Sequence, residues 1–163
     1  MSRKELVVAD TTPLNYLILI GEAPILASLF GKVLIPEGVF VELGHPKAPD
    51  GVKSWIRDLP AWVQVVQVSE TDATLPLGKG EVEAISLALE KRINVILMDE
   101  RKGRQAAQSR GLLAVGTLNL IDLADDLGML DGIEAIRALA KTTFRADPWL
   151  ISQFEAKFRS RRG

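Results

Sequence analysis

Short apolar runs recur along the chain, and each one ends at an acidic or turn-forming residue. Four of them cover residues 6–9, 33–35, 95–98 and 112–115 and consist mainly of Val, Ile and Leu. Continuous runs of this kind are typical of strands that are buried on both faces of a parallel sheet. A fifth stretch, residues 63–68, is interrupted by Gln64 and Gln67, so we predict that it forms an edge strand.

The segments between these runs have the apolar spacing of helices. They are residues 13–20, 23–30, 37–43, 51–58, 81–91, 101–110 and 118–127. Strands that alternate with helices predict an α/β protein with a mainly parallel central sheet. Two amphipathic helices, about residues 131–158, follow, and their apolar stripes either seal the core of the domain or form a dimer interface.

Composition narrows the possible chemistry. The chain has 163 residues, which predicts a single domain over 1–163, and its formal net charge is −1. It contains no cysteine and one histidine, His45, which we expect to be exposed in a Pro/Gly loop. Thiolate zinc sites, cysteine catalysis and disulfide scaffolds are therefore excluded. Because no membrane span or signal peptide is recognisable, we expect a cytoplasmic protein.

Two acidic residues follow strands of the predicted sheet directly. Asp10 and Asp99 end the runs 6–9 and 95–98, so both lie at the edge where open α/β sheets bind ligands. An aspartate at such a position is by itself more often a helix N-cap than a ligand, and it is the presence of two after two buried strands that favours a site. Glu42 and Glu81 lie near the same edge, and four converging carboxylates would require a counter-charge. Oxygen ligands favour Mg²⁺ or Mn²⁺, which permits metal-dependent hydrolysis of phosphodiester bonds.

Basic residues lie close to these acids in the sequence. Arg101, Lys102 and Arg104 begin the helix after Asp99, where the helix dipole disfavours cations, and a substrate phosphate would offset that cost. A second basic run, at Lys157, Arg159, Arg161 and Arg162, ends the chain. It is either a favourable helix C-terminus or a phosphate-binding arm.

Four blocks of this sequence resemble the PIN domain family. They lie at residues 8–14 (with the opening D-[ST]-[ST]-P-L), 33–43, 80–85 (with G-E-x-x-A-I) and 96–100, followed by Arg104 and Ala107. The resemblance covers about residues 5–125 and implies a three-layer α/β/α fold with extra C-terminal helices. One departure is that the usual Asp-Asp pair after the fourth strand is Asp99-Glu100 here.

The resemblance also implies a function. It assigns Asp10, Glu42, Glu81 and Asp99 to the four catalytic acids that bind Mg²⁺ or Mn²⁺, in an endonuclease for single-stranded RNA. Many members are homodimeric toxins of toxin–antitoxin pairs, held inactive by a small antitoxin protein. Asp10 and Asp99 are then expected to bind the metal directly, while Glu42 and Glu81 complete its coordination and Arg101, Lys102 or Arg104 hold substrate phosphate.

Two other interpretations remain open at this point. One is a PIN-like module that binds RNA or a protein partner without turnover. The other is a phosphorylated receiver domain built on Asp10, Asp99 and Thr117. The charge argument adds that the metal-free protein gains stability when Mn²⁺ is added and when Asp99 is replaced by Asn.

Overall fold

A five-stranded parallel sheet organises the molecule. The computed structural model describes residues 5–163, and its strands in that range are Leu6–Ala9 (β1), Lys32–Pro36 (β2), Val63–Val66 (β3), Val95–Leu97 (β4) and Leu113–Val115 (β5). Their order is β3-β2-β1-β4-β5, and every pair is parallel. The predicted strands are confirmed, and β3 lies at an edge as its polar interruptions indicate.

Helices connect the strands and extend beyond the last one. They are Thr11–Leu19 (α1), Ile25–Leu29 (α2), Glu37–Leu43 (α3), Asp50–Arg57 (α4), Lys79–Glu90 (α5), Arg101–Ser109 (α6), Thr117–Asp126 (α7), Gly132–Ala140 (α8) and Pro148–Arg162 (α9). Each predicted helix is present with small shifts at its ends. None in the described part of the chain is long and apolar enough to span a membrane.

The sheet is buried on both faces, which explains its continuous apolar runs. Val7 and Ala9 point into one hydrophobic core, while Val8 between them points into the other, because successive strand side chains alternate. Helices α5 and α6 cover the second core, and α1, α4, α7, α8 and α9 pack on the first. The three-layer α/β/α architecture is therefore confirmed.

The prediction for residues 112–115 is wrong in one respect. This run forms β5 at the outer edge of the sheet, and Leu113 is 62% exposed there. An apolar run indicates that a strand forms. Whether that strand has one or two neighbouring strands depends on the strand order, which the local sequence does not reveal.

The last helix belongs to the core of the domain. Phe158 of α9 is fully buried and packs against Gly132, the first residue of α8. The beginning of the same helix is different, since Trp149 is 69% exposed. The apolar stripe on α9 therefore seals the core at its far end and faces solvent at its beginning.

We expect Gly132→Ala to destabilise the protein, because an added methyl group would lie 2.6 Å from the ring of Phe158. Overpacking of this kind lowers the free energy of unfolding by about 1–3 kcal/mol. Gly51→Ala is the matched control, since no atom lies within 4 Å of the added carbon there. Urea unfolding followed by tryptophan fluorescence measures both changes, and equal midpoints for the two variants would contradict the packing argument.

Candidate metal-dependent nuclease site

The acidic residues lie at the topological switch point of the sheet, where the order in which strands are added reverses. The chain builds outward from β1 through β2 to β3 and then crosses to β4 on the other side of β1, so the carboxyl ends of β1 and β4 adjoin. Asp10 follows β1, and its backbone N–H donates to the carbonyl of Leu97 in β4 at 2.9 Å. Asp99 comes two residues after Leu97. Such a switch point is the usual ligand site of an open α/β sheet.

Neither aspartate side chain caps the helix that follows it in the chain. Asp10 precedes α1, but its side chain makes no capping hydrogen bond. The cap of α6 is Glu100, whose Oε2 accepts the N–H of Gly103 at 2.8 Å. This bond is the largest reason why the pKa of Glu100 lies below its usual range. Capping of the following helix therefore explains Glu100 but neither Asp10 nor Asp99.

Burial is the main feature of Asp10. The residue is 4% exposed. Loss of hydration raises its pKa to about 7, with further increases from the charges of Glu81, Glu42 and Asp99 and a partial offset from the N–H of Thr11. Like charges brought together with little solvent are unfavourable for folding, so groups perturbed in this way are candidates for function.

Asp99 is held in one orientation by Thr117. The threonine is fully buried at the start of α7, and its N–H and Oγ1 donate to the two carboxylate oxygens at 2.7 and 2.6 Å. Burial raises the pKa of Asp99, while these bonds and the nearby charge of Arg104 oppose the increase. Thr117 was not among the residues predicted for a nuclease site, although the receiver interpretation grouped it with Asp10 and Asp99. Its position after β5, matching that of Asp99 after β4, is the signal that could have found it.

Glu42 reaches the site from the last turn of α3. Its Oε2 accepts the hydroxyl of Thr11 at 2.6 Å, and its other oxygen contacts Gly80 in α5. The side chain lies mostly in solvent, unlike that of Asp10. Glycine at position 80 leaves the space that this carboxylate uses.

Glu81 has an oxygen with no partner. It lies in the first turn of α5, and its buried Oε2 accepts no hydrogen bond while lying against Gly103, whose added methyl group would come within 2.9 Å. Burial raises the pKa of Glu81, and the charge of Glu100, a side-chain hydrogen bond with Glu100 and the charge of Glu42 raise it further. An unpaired buried oxygen next to other carboxylates is a position where a cation would be stabilising.

Glu83 does not share these neighbours. Its carboxylate packs against Gly38 of α3, and its buried Oε2 also has no hydrogen-bond partner. Glu83 lies two residues along the helix from Glu81, so its side chain faces elsewhere, as the helical spacing predicts.

His45 is exposed as predicted, and its Nδ1 accepts the N–H of Lys47.

The predicted basic residues differ in placement. Arg104 is half-buried next to Asp99, close enough to lower the pKa of that carboxyl. Arg101 and Lys102 are exposed on the first turn of α6. Only Arg104 is therefore directed into the acidic edge in this structure.

The C-terminal basic run forms ion pairs with neighbouring acids. Lys157 and Arg161 bind Asp122 at 2.8 and 2.6 Å, and Arg161 also binds Asp125 at 2.9 Å. The remaining partners are Asp126 for Arg161, Glu155 for Arg159, and Asp125 and Asp131 for Arg162. The run therefore ties α9 to α7 and to the start of α8, and the interpretation as a free phosphate-binding arm is wrong.

Fold and site together define an α/β protein with carboxylates gathered at the switch point of its sheet. The chain matches a family model described as a PIN domain over residues 6–160, and it therefore belongs to the PIN domain family, as its sequence blocks indicate. No curated protein and no solved structure gave a significant match. The receiver interpretation is excluded, because receiver domains have the strand order 2-1-3-4-5.

PIN domains typically use divalent metals, and the residues present fit that requirement. Within residues 5–163, no three acidic or histidine side chains already stand as a metal-binding group. The chemistry of the donors is nevertheless suitable. All are carboxylates, burial and neighbouring charges disfavour the ionised form of Asp10, and Oε2 of Glu81 has no hydrogen-bond partner. In this structure Thr11 donates a hydrogen bond to Glu42, and Thr117 donates to Asp99.

Proposed function

We propose that this protein is a metal-dependent endoribonuclease that cleaves single-stranded RNA. The observation that carries the proposal is Asp10, a buried carboxyl whose pKa is raised to about 7 and whose neighbours include three further carboxylates. Folding alone gives no reason to collect these charges. A cation and a phosphodiester would make them favourable.

In this proposal Asp10 and Asp99 bind Mg²⁺ or Mn²⁺ directly, and Glu42 and Glu81 complete the coordination or orient water. The bound ion supplies a Lewis acid and lowers the pKa of its water. Thr117 keeps both oxygens of Asp99 oriented. Arg104, with Arg101 and Lys102 at the rim, binds the phosphate groups of the substrate.

We also propose, from the family resemblance, that the protein acts in the cytoplasm as a homodimeric toxin restrained by a small antitoxin. The exposed apolar side chains at the start of α9, Trp149 and Leu150, support a protein partner for this face.

The metal requirement is tested with end-labelled single-stranded RNA. We expect cleavage in Mn²⁺ or Mg²⁺ and none in excess EDTA, because the carboxylates alone supply no Lewis acid. The Asp10→Asn variant, purified in parallel, reports contaminating nuclease. Equal trace cleavage by both proteins would favour the PIN-like module that binds RNA or a protein without turnover.

A further inference from the structure

A cleft of about 380 Å³ lies directly beside Asp99. One wall comes from α6 and α7, with Arg104 and Asn119, and the other from α9 and the segment between α8 and α9. Phe144 and Arg145 lie in that segment, and Phe154 lies in α9. The cleft has the size of a site for one small ligand, and it opens onto the acidic edge.

The positive charges of this cleft are available to a ligand. Arg104 forms no ion pair with any carboxylate among residues 5–163, and neither does Arg145. Nη1 of Arg145 donates to the carbonyls of Thr142 and Phe144 at 3.3 and 2.9 Å, which holds the guanidinium at the rim. The arginines at the end of α9 contrast with these two, because all of them are paired with acids.

The apolar side of the cleft is aromatic. Phe144 packs edge-on against Tyr16 with ring centres 5.1 Å apart, and Phe154 packs against Phe158 at 6.2 Å. Each ring is therefore supported from within the domain while it lines the cleft. Asn119 lies exposed on the first turns of α7, where its amide offers both a donor and an acceptor.

We propose that this cleft binds one nucleotide of single-stranded RNA, adjacent to the phosphate that is cleaved at the acidic edge. The base of this nucleotide lies between the wall with Phe144 and Phe154 and the wall with Asn119. Proteins read single-stranded RNA by stacking splayed bases on aromatic rings and by hydrogen bonding to base edges, with arginine on the phosphates. Arg104 and Arg145 bind phosphate groups, and Asn119 contacts the base. This inference rests on the proposed function, and it adds residues that select the substrate.

The test measures binding of short labelled RNA oligonucleotides by fluorescence anisotropy, in an Asp10→Asn background so that nothing is cleaved. We expect Asn119→Ala to weaken binding by at least about fivefold, the lower end for loss of one base-edge contact, and Arg145→Ala to weaken it through loss of a phosphate contact. Asn119→Ala also changes the ranking of U, C, A and G oligonucleotides, whereas Arg145→Ala weakens all four alike and reduces the salt dependence.

Two exposed residues away from the cleft provide matched controls. Asn94 precedes β4 at the opposite edge of the sheet, and Arg57 ends α4. Asn94→Ala and Arg57→Ala should bind RNA like the background protein. If the cleft variants also bind like the controls, the inference is overturned. Equal affinity for the deoxyoligonucleotide of the same sequence would overturn the assignment to RNA.

The binding assay separates this inference from the nuclease proposal. Weaker binding by both cleft variants, together with a wild-type protein that does not cleave in Mn²⁺, would support the nucleotide site and reject the nuclease. Metal-dependent cleavage with unaltered binding by both variants would do the reverse. If the cleft instead binds a side chain of a protein partner, RNA binding should be the same for both cleft variants and the background protein.

Discussion

Replacing Asp10 by Asn should lower the rate of RNA cleavage by at least about 10²- to 10³-fold, the usual loss when one preorganised group that stabilises transition-state charge is removed. Asp10 lies at the centre of the acidic edge, and the charges of Glu42, Glu81 and Asp99 all act on it. Asn keeps the size of the side chain but removes an anionic oxygen. Single-turnover cleavage at saturating Mn²⁺ measures the chemical step without contributions from product release.

Asp58→Asn is the control for this experiment. Asp58 is an exposed residue just after α4, and the substitution changes the net charge of the protein by the same amount. We expect the rate of that variant to equal the rate of the wild type. A rate for Asp10→Asn within a few-fold of the wild type would show that Asp10 does not participate in catalysis.

Asp10→Asn should also stabilise the metal-free protein at high pH. The pKa of Asp10 is about 7 in the folded state against 3.8 as its usual value, a difference equivalent to about 4 kcal/mol. Because the folded state binds the proton more tightly, the wild-type protein loses this stability as pH rises from about 4 to about 7. In EDTA at pH 8 we expect Asp10→Asn to unfold at a temperature about 5 to 15 °C higher than the wild type.

Thermal unfolding from pH 5 to pH 8, with and without Mn²⁺, checks this expectation. The gain from Asp10→Asn should shrink toward pH 5, where the wild-type carboxyl is protonated, and Mn²⁺ should stabilise the wild type more than the variant. Asp99→Asn should give a smaller gain, since Thr117 and Arg104 already favour the charged form of Asp99. A pH-independent difference between wild type and Asp10→Asn would mean that folding does not raise the pKa of Asp10.

Several features of the site could be predicted because they are local. Asp10 and Asp99 end apolar runs, and in a parallel sheet the end of a strand is also the edge that binds ligands. Glu42 and Glu81 were placed near this edge by their sequence positions and assigned to the site by the family resemblance, and the charges of both act on Asp10. Arg104 was predicted with Arg101 and Lys102, but only its guanidinium turns toward Asp99, a choice of side-chain direction that spacing in a helix did not decide.

Other features depend on packing between distant segments. The bond from Thr117 to Asp99 requires β4 and β5 to be neighbours, and the pairing of Arg161 with Asp122 and Asp125 requires α9 to pack on α7. The basic run at the end of the chain had two open explanations in the sequence. Arg159, Arg161 and Arg162 do lie in the last turn of α9, and the ion pairs with α7 and α8 add a role that the sequence did not show. The cleft beside Asp99 arises in the same way, because Arg145 and Asn119 meet only after α8 and α9 fold back.

Local patterns predicted the secondary structure, the mainly parallel sheet and the acids that follow β1 and β4, because apolar periodicity and strand ends are properties of neighbouring residues. The resemblance of four sequence blocks predicted the family and its three-layer architecture. Packing between distant segments made β5 an edge strand, placed Thr117 on Asp99, paired the C-terminal arginines and brought aromatic rings and Arg145 next to the acidic edge. These contacts depend on which surfaces of distant helices and strands pack together to bury apolar area. A local sequence pattern does not contain that information.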